Sequence, residues 1–301
     1  MTWLVAVLLS TMLFAWVSVL DKKLVTDLFA DVRDFYLVFG LMQLVIGPAF
    51  MAVAWATGGF GGLEGITWSI ATGVAFVGGL MLFFYGLSLE EVSRATPVQS
   101  LAPVFATLIA VTLLGESLTL VQGTAVLVVV TGAVLVSLRR EGGVLRLARM
   151  PAFGVLLMSA MVLGVAFVVT DQATGVASVW AVQGVSTMAL GVLVLVTVAS
   201  RERLARVPRM LRERHVAGVM LLTEGALAPA AVFTLMLAFS LGSVSLVSVV
   251  AASRPLLVLV ISVALSTQAW DVLHEPLDRE TLGLKAFATV LIVGGVVALA
   301  I

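Results

Sequence analysis

Ten apolar stretches dominate this chain of 301 residues, each about as long as a helix that crosses a lipid bilayer. They lie at about 3–20, 34–57, 67–89, 94–114, 119–138, 152–171, 176–199, 216–239, 243–266 and 281–301. A hydrocarbon core of about 30 Å takes about 20 apolar residues of helix. Within it every backbone N–H and C=O must be bonded inside the protein, which leaves helices or a closed barrel. Barrel strands alternate apolar and polar residues, and these stretches do not. The predicted fold is therefore an all-α membrane protein of ten transmembrane helices. Composition agrees, with 61% hydrophobic and 11% charged residues against roughly 25% charged in soluble domains. Short connections favour antiparallel neighbours.

The formal net charge is zero, so the whole chain offers no electrostatic footprint for a nucleic-acid partner. It has no cysteine, which removes disulfides and thiolate metal ligands. Met1-Thr2-Trp3 enters the first stretch without a preceding basic region or a following A-x-A site, and reads as a retained helix rather than a signal peptide. The expected partners are the lipid bilayer and a small-molecule or lipid substrate, with no cofactor and no metal. The chain is expected as a monomer or homodimer.

Basic residues divide the connections. Those after stretches 1, 3, 5, 7 and 9 hold Lys22, Lys23, Arg33, Arg94, Arg139, Arg140, Arg146, Arg149, the arginines of 201–214 and Arg279, with Lys285 opening stretch 10 on the same side. Those after stretches 2, 4, 6 and 8 hold neither lysine nor arginine. The positive-inside rule puts the basic side in the cytoplasm and both termini outside a cytoplasmic or inner membrane.

The chain also repeats itself weakly. Ser10 and its followers lie on Ser159, an offset of 149 residues (159 − 10). The run from Ser88 to Pro103 lies on Ser240 to Pro255, an offset of 152 (255 − 103), and Gly132 lies on Gly295, an offset of 163 (295 − 132). The step marks an insertion near Gln268–Glu280. Residues 1–140 are then a first five-helix repeat, 150–301 a second, and 139–151 the linker. An odd number of crossings makes the two repeats inverted.

Phe84-Tyr85-Gly86-Leu87, the run Ala95-Thr96-Pro97-Val98-Gln99-Ser100-Leu101-Ala102-Pro103, then Leu114-Gly115-Glu116-Ser117, Gln122-Gly123 and Gly132 resemble the signature of the EamA family of the drug/metabolite transporter superfamily. The likeness is clearest over about 55 residues of stretches 3–5. It implies ten helices in two baskets around a central cavity, and export or uptake of small metabolites. Two features depart from the family. The connection after stretch 2 is Gly58-Gly59-Phe60-Gly61-Gly62 with no basic residue, and Gly115-Glu116 is followed by Ser117 where arginine is usual. Both accord with a reversed orientation.

Charges inside a bilayer are costly and point to function. Glu224 and Arg254 lie well inside stretches 8 and 9. These are neighbouring antiparallel helices, so an ion pair between the two is expected. Arg254 is suited to an anionic substrate group, and Glu224 to a proton or a cationic group. The other reading is a permanent pair that locks the two helices. Pro97, Pro103, Pro229 and Pro255 interrupt stretches 4, 8 and 9 and free backbone carbonyls, as hinges or as packing kinks. Trp16, Gln43, Tyr85, Gln99, Trp180, Gln183 and Ser248 are candidates for a polar cavity wall, or for interhelical hydrogen bonds without ligand contact. Asp21, Lys22, Lys23 and Asp171 read as helix-end residues. Residues 201–214 read as an amphipathic surface helix that binds anionic lipid or serves as a topology determinant.

The expected function is secondary transport of small metabolites, anionic or zwitterionic and amino-acid-like, by alternating access. A flippase for a lipid or lipid-linked phosphate is the second reading. An enzyme is not expected, since the chain has two histidines, no cysteine and dispersed acidic residues.

Overall fold

The computed structural model describes residues 2–113, 119–136, 138–141, 144–147, 150–241, 250–251, 253–266 and 279–299. Helix α1 (Thr2–Lys23) widens into a π-helical turn, Leu24–Leu28. Then come α2 (Val32–Thr57), α3 (Gly62–Leu89), α4 (Val92–Gln99), α5 (Ala102–Leu113) and α6 (Leu120–Val136). A short hairpin of β1 (Leu138–Glu141) and β2 (Val144–Leu147), paired antiparallel, occupies the expected linker. The remainder is α7 (Met150–Val176), α8 (Val179–Val198), α9 (Arg201–Arg212), α10 (Arg214–Met220), a π-helical segment Leu221–Leu227, α11 (Ala228–Leu241), α12 (Arg254–Leu265) and α13 (Arg279–Leu299).

Six helices among the described residues are long and apolar enough to cross a membrane: Trp3–Leu28, Val32–Thr57, Gly62–Leu89, Pro151–Val176, Val179–Val198 and Arg214–Leu235. Stretches 4, 5, 9 and 10 contain α4 with α5, α6, α12 and α13, and the apolar runs Gly123–Gly132, Arg254–Leu265 and Leu282–Ala298 in the last three are shorter than those six. Stretch 4 is two helices, not one. Pro103 has no N–H to give the Gln99 carbonyl four residues back, and the chain turns at Ser100–Leu101 before α5 begins. The first stretch runs longer than its sequence suggests, because apolar Leu24 and Val25 continue it past the charged Asp21-Lys22-Lys23 and are buried.

Polar residues mark the ends. Asp31 and Ser178 cap α2 and α8 by accepting from the N–H groups of Arg33 and Ala181. Gly58 ends α2 at φ 70°, a left-handed conformation that glycine adopts without strain. The turn it starts meets the α7–α8 turn, where Ser178 N donates to Gly59 O at 2.7 Å.

Helix α3 packs along α7, α2 along α8, α6 along α13, and α1 against α11 and α12. Buried hydroxyls tie two of these seams. Ser10 Oγ donates to Ala231 O at 2.8 Å, and Ser159 Oγ to Gly79 O at 2.7 Å. Where α6 crosses α13 the backbones nearly touch. A β-carbon on Gly132 would stand 2.9 Å from Ala288 O, and one on Gly295 would stand 3.0 Å from Ala125 O. At the end carrying Lys22 and Lys23, Phe29, Phe35, Phe39 and Phe84 form an aromatic plug, with Phe35 and Phe84 edge-to-face at 4.9 Å.

Candidate functional site

The two interrupted helices meet end to end. Gln99 closes α4 and Arg254 opens α12 behind the turn at Ser253. Arg254 Nη2 donates to Gln99 Oε1. The guanidinium also lies over the Phe14 ring, 5.7 Å from its centroid. A cation at a helix N-terminus sits at the positive end of the dipole, so the position attracts anions twice over. The counter-charge comes from α1. Helix α1, which carries Asp21, packs against α12 and against the π-helical segment before α11, which carries Glu224. Asp21 and Glu224 are each 4% exposed. Single π-helical turns inside α-helices concentrate at functional sites, and here one follows Asp21 and the other contains Glu224.

This arrangement changes two expectations. The hydrogen-bond partner of Arg254 is Gln99 rather than Glu224. Asp21 is buried, not a solvated helix-end residue. The longer apolar run around it, through Leu28, is the signal in the sequence that places it inside the fold.

The other candidates are scattered. Trp16 is 38% exposed and lies about 200° around α1 from Phe14, on the stripe of Val5, Leu9 and Met12. Tyr85 on α3 is exposed too. Trp180 packs between Phe50 and Phe233, with centroids 5.9 and 6.0 Å away. Gln183 donates to Thr187 on its own helix at 3.1 Å, and Gln43 is half-buried on α2. Ser248 lies outside the described residues. Pro97 and Pro255 are buried, and Pro229 is half-buried at the start of α11.

A second charged group lies at the basic end. Lys285, 1% exposed, pairs with Glu91 and donates to Ser93 Oγ at 2.9 Å. Arg94 Nε joins Glu91 Oε2 at 3.1 Å. Burial alone would push the Glu91 carboxyl up; Lys285 and Arg94 more than offset it and hold it below the ordinary glutamate range. Lys22 Nζ donates to the Leu87 and Glu90 carbonyls at 2.8 and 2.9 Å. Lys285 is thus an interior partner of the α3–α4 corner. Asp34, 1% exposed, holds α9 through Arg206 Nη1 at 3.3 Å and Arg203 Nε at 3.9 Å.

Long apolar helices with a charged group buried among them define a multi-pass membrane protein. Residues 1–138 match the model of the EamA-like transporter family. That family is part of the drug/metabolite transporter superfamily, and the first 138 residues, just under half of the chain, are similar to it. One solved structure, described only as the crystal structure of a protein, is similar with a TM-score of 0.56 and 20% identity. The match covers 97% of this chain and 94% of that one, a likeness of fold. No curated protein matches the chain.

Proposed function

We propose that the chain is a secondary transporter that moves small anionic or zwitterionic, amino-acid-like metabolites by alternating access between two inverted five-helix halves, residues 1–140 and 150–301. The observation that carries the substrate reading is Arg254, a half-buried cation at the start of one broken helix, bonded to Gln99 at the end of another. Broken helices near the middle of a membrane fold are a recurrent way to bind charged substrates. A substrate carboxylate would take the place of Gln99 against the guanidinium.

Reciprocal contacts support the inverted halves. The alignment that pairs Gly132 with Gly295 also pairs Ala125 with Ala288 and Val129 with Ile292, all at an offset of 163 (288 − 125; 292 − 129). Gly132 abuts Ala288 and Ile292, while Gly295 abuts Ala125 and Val129, the pattern of a two-fold axis. Ser10 and Ser159, also aligned, each bond to a carbonyl of the other half, Ala231 and Gly79. Lys22, Glu91, Arg94, Arg203 and Lys285 gather at one end and the glycine turn at Gly58–Gly62 lies at the other, which supports a cytoplasmic basic face and termini outside. The work of transport comes from a gradient or exchange.

The test is uptake by proteoliposomes offered amino acids, nucleosides and lipid phosphates. Accumulation of at least one amino acid, lost in Arg254→Ala, is expected. Undiminished transport by that variant would reject the anion site.

A further inference from the structure

We propose that α9 is a lipid-headgroup helix. Leu204, Pro208 and Leu211 enter the edge of the acyl-chain region, while Arg201, Arg209 and Arg212 bind the phosphates of anionic phospholipids in the adjoining leaflet. This goes beyond the transporter reading and rests on the membrane fold alone.

The level of α9 is set by what it joins. It lies between α8 and the run Arg214–Leu235, both long and apolar enough to cross a membrane. Only Ala199 and Ser200 separate α8 from α9. Ser200 Oγ accepts from the N–H of Arg203 at 3.2 Å, and Arg203 Nη1 donates to Val198 O, the last carbonyl of α8, at 2.7 Å. On the inner side Val207 is buried and Met210 packs on the core. Arg203 and Arg206 pair with Asp34 in the first turn of α2, another helix of membrane-crossing length. Held against the ends of α8 and α2, α9 lies where hydrocarbon gives way to headgroups. With five arginines in its 12 residues it does not enter the hydrocarbon itself.

The residues left outside sort into two rows. Leu204, Pro208 and Leu211 follow at i, i+4 and i+7, so they share about 60° of the helix surface, and all three are exposed. Arg201, Arg212 and Arg209 lie beside that stripe, within about 100° of it. They are exposed too and make no ion pair among the described residues. Glu202, the acidic residue of α9, is on the side opposite Leu204.

An apolar stripe bordered by arginines, with the carboxylate turned away, suits a helix lying in the membrane interface. The arginine stems run along the apolar boundary and the guanidiniums reach the phosphate level, where each can hold a phosphate through two N–H groups. A zwitterionic headgroup carries its own ammonium, so the uncompensated arginines select anionic lipid. An acidic soluble protein would match the arginines, but it would also have to cover leucines that border the bilayer. Lipid covers both rows at once.

The absence of cysteine allows a single reporter in the full-length protein. Leu204→Cys carrying a bimane label, checked for a wild-type elution profile, is placed in nanodiscs of roughly one phosphatidylglycerol to three phosphatidylcholine. Bromine is carried on the acyl chains of the phosphatidylglycerol or of an equal amount of the phosphatidylcholine. Both are expected to quench the label, brominated phosphatidylglycerol several-fold more strongly. The same label on Glu202→Cys is expected to be quenched little by either. Replacing Arg201, Arg209 and Arg212 together by Gln leaves the partners of Asp34 in place and should bring the two lipids level, as should high salt. Leu211→Cys supplies a second reporter if Leu204→Cys elutes abnormally. Quenching at the leucine reporter no greater than at residue 202 overturns the docking and leaves this face to a soluble partner. Equal quenching by the two lipids with the arginines intact overturns the choice of headgroup.

Discussion

Gly132 on α6 and Gly295 on α13 stand in reciprocal contact: each lies against the residues that match those beneath the other, Ala288 and Ile292 in one direction, Ala125 and Val129 in the other. Two seams of the same shape predict two mutations of the same cost. Gly132→Val and Gly295→Val should each destabilise the protein by about 1–3 kcal/mol through overpacking. Thermal unfolding in detergent checks this, and a harmless substitution at either position would break the reciprocity.

The serine pair gives a gentler version. Ser10→Ala and Ser159→Ala each remove a hydrogen bond to a carbonyl across a buried seam. Such bonds in membrane proteins contribute about 0.6 kcal/mol on average. The two losses should be small, equal within error, and additive in the double variant, since the sites share no partner.

The corner around Lys285 should respond much more strongly. Glu91→Gln leaves a buried ammonium beside Arg94 without its carboxylate, at a cost of about 3–5 kcal/mol. Lys285→Met added to it should restore part of the loss. Because folding lowers the affinity of Glu91 for its proton, its contribution is fully present above the ordinary glutamate range. It is lost as pH falls through the lower value of the folded state. Melting temperature against pH should therefore show an acid-side decline that Glu91→Gln lacks; coincident profiles would contradict it.

Helix α9 is fastened to the bundle by Asp34 and by Val207, which is buried. Asp34→Ala should release it while leaving the long helices in place. Limited trypsin digestion should then cut within 201–212 several-fold faster than in the wild type, with cleavage elsewhere unchanged. Equal rates would assign the docking to the apolar contacts alone.

Much of this architecture is legible in the chain. Stretch length and hydropathy mark the helices, and Pro103 and Pro255 mark both interrupted ones. Arg254 and Glu224 stand out as charges deep in apolar runs. What hides is pairing. Asp21 precedes two lysines and reads as a helix end, because hydropathy weighs a charge without knowing what faces it. Its burial depends on segments some two hundred residues away, since α1 packs against the π-helical segment Leu221–Leu227, α11 and α12. Lys285 misleads in the same way. It counts by position as a basic residue at the cytoplasmic start of stretch 10, yet packing against Ser93 and Glu91 makes it an interior residue.

The central claim is that the group around Arg254 opens in turn to the two faces of the membrane. A chain without cysteine permits a direct measurement: a single Gln99→Cys substitution, probed with a membrane-impermeant thiol reagent in right-side-out and inside-out vesicles. Modification from both faces, with a transported amino acid slowing both, is the result expected of alternating access. Modification from one face only, unchanged by any substrate, would contradict it.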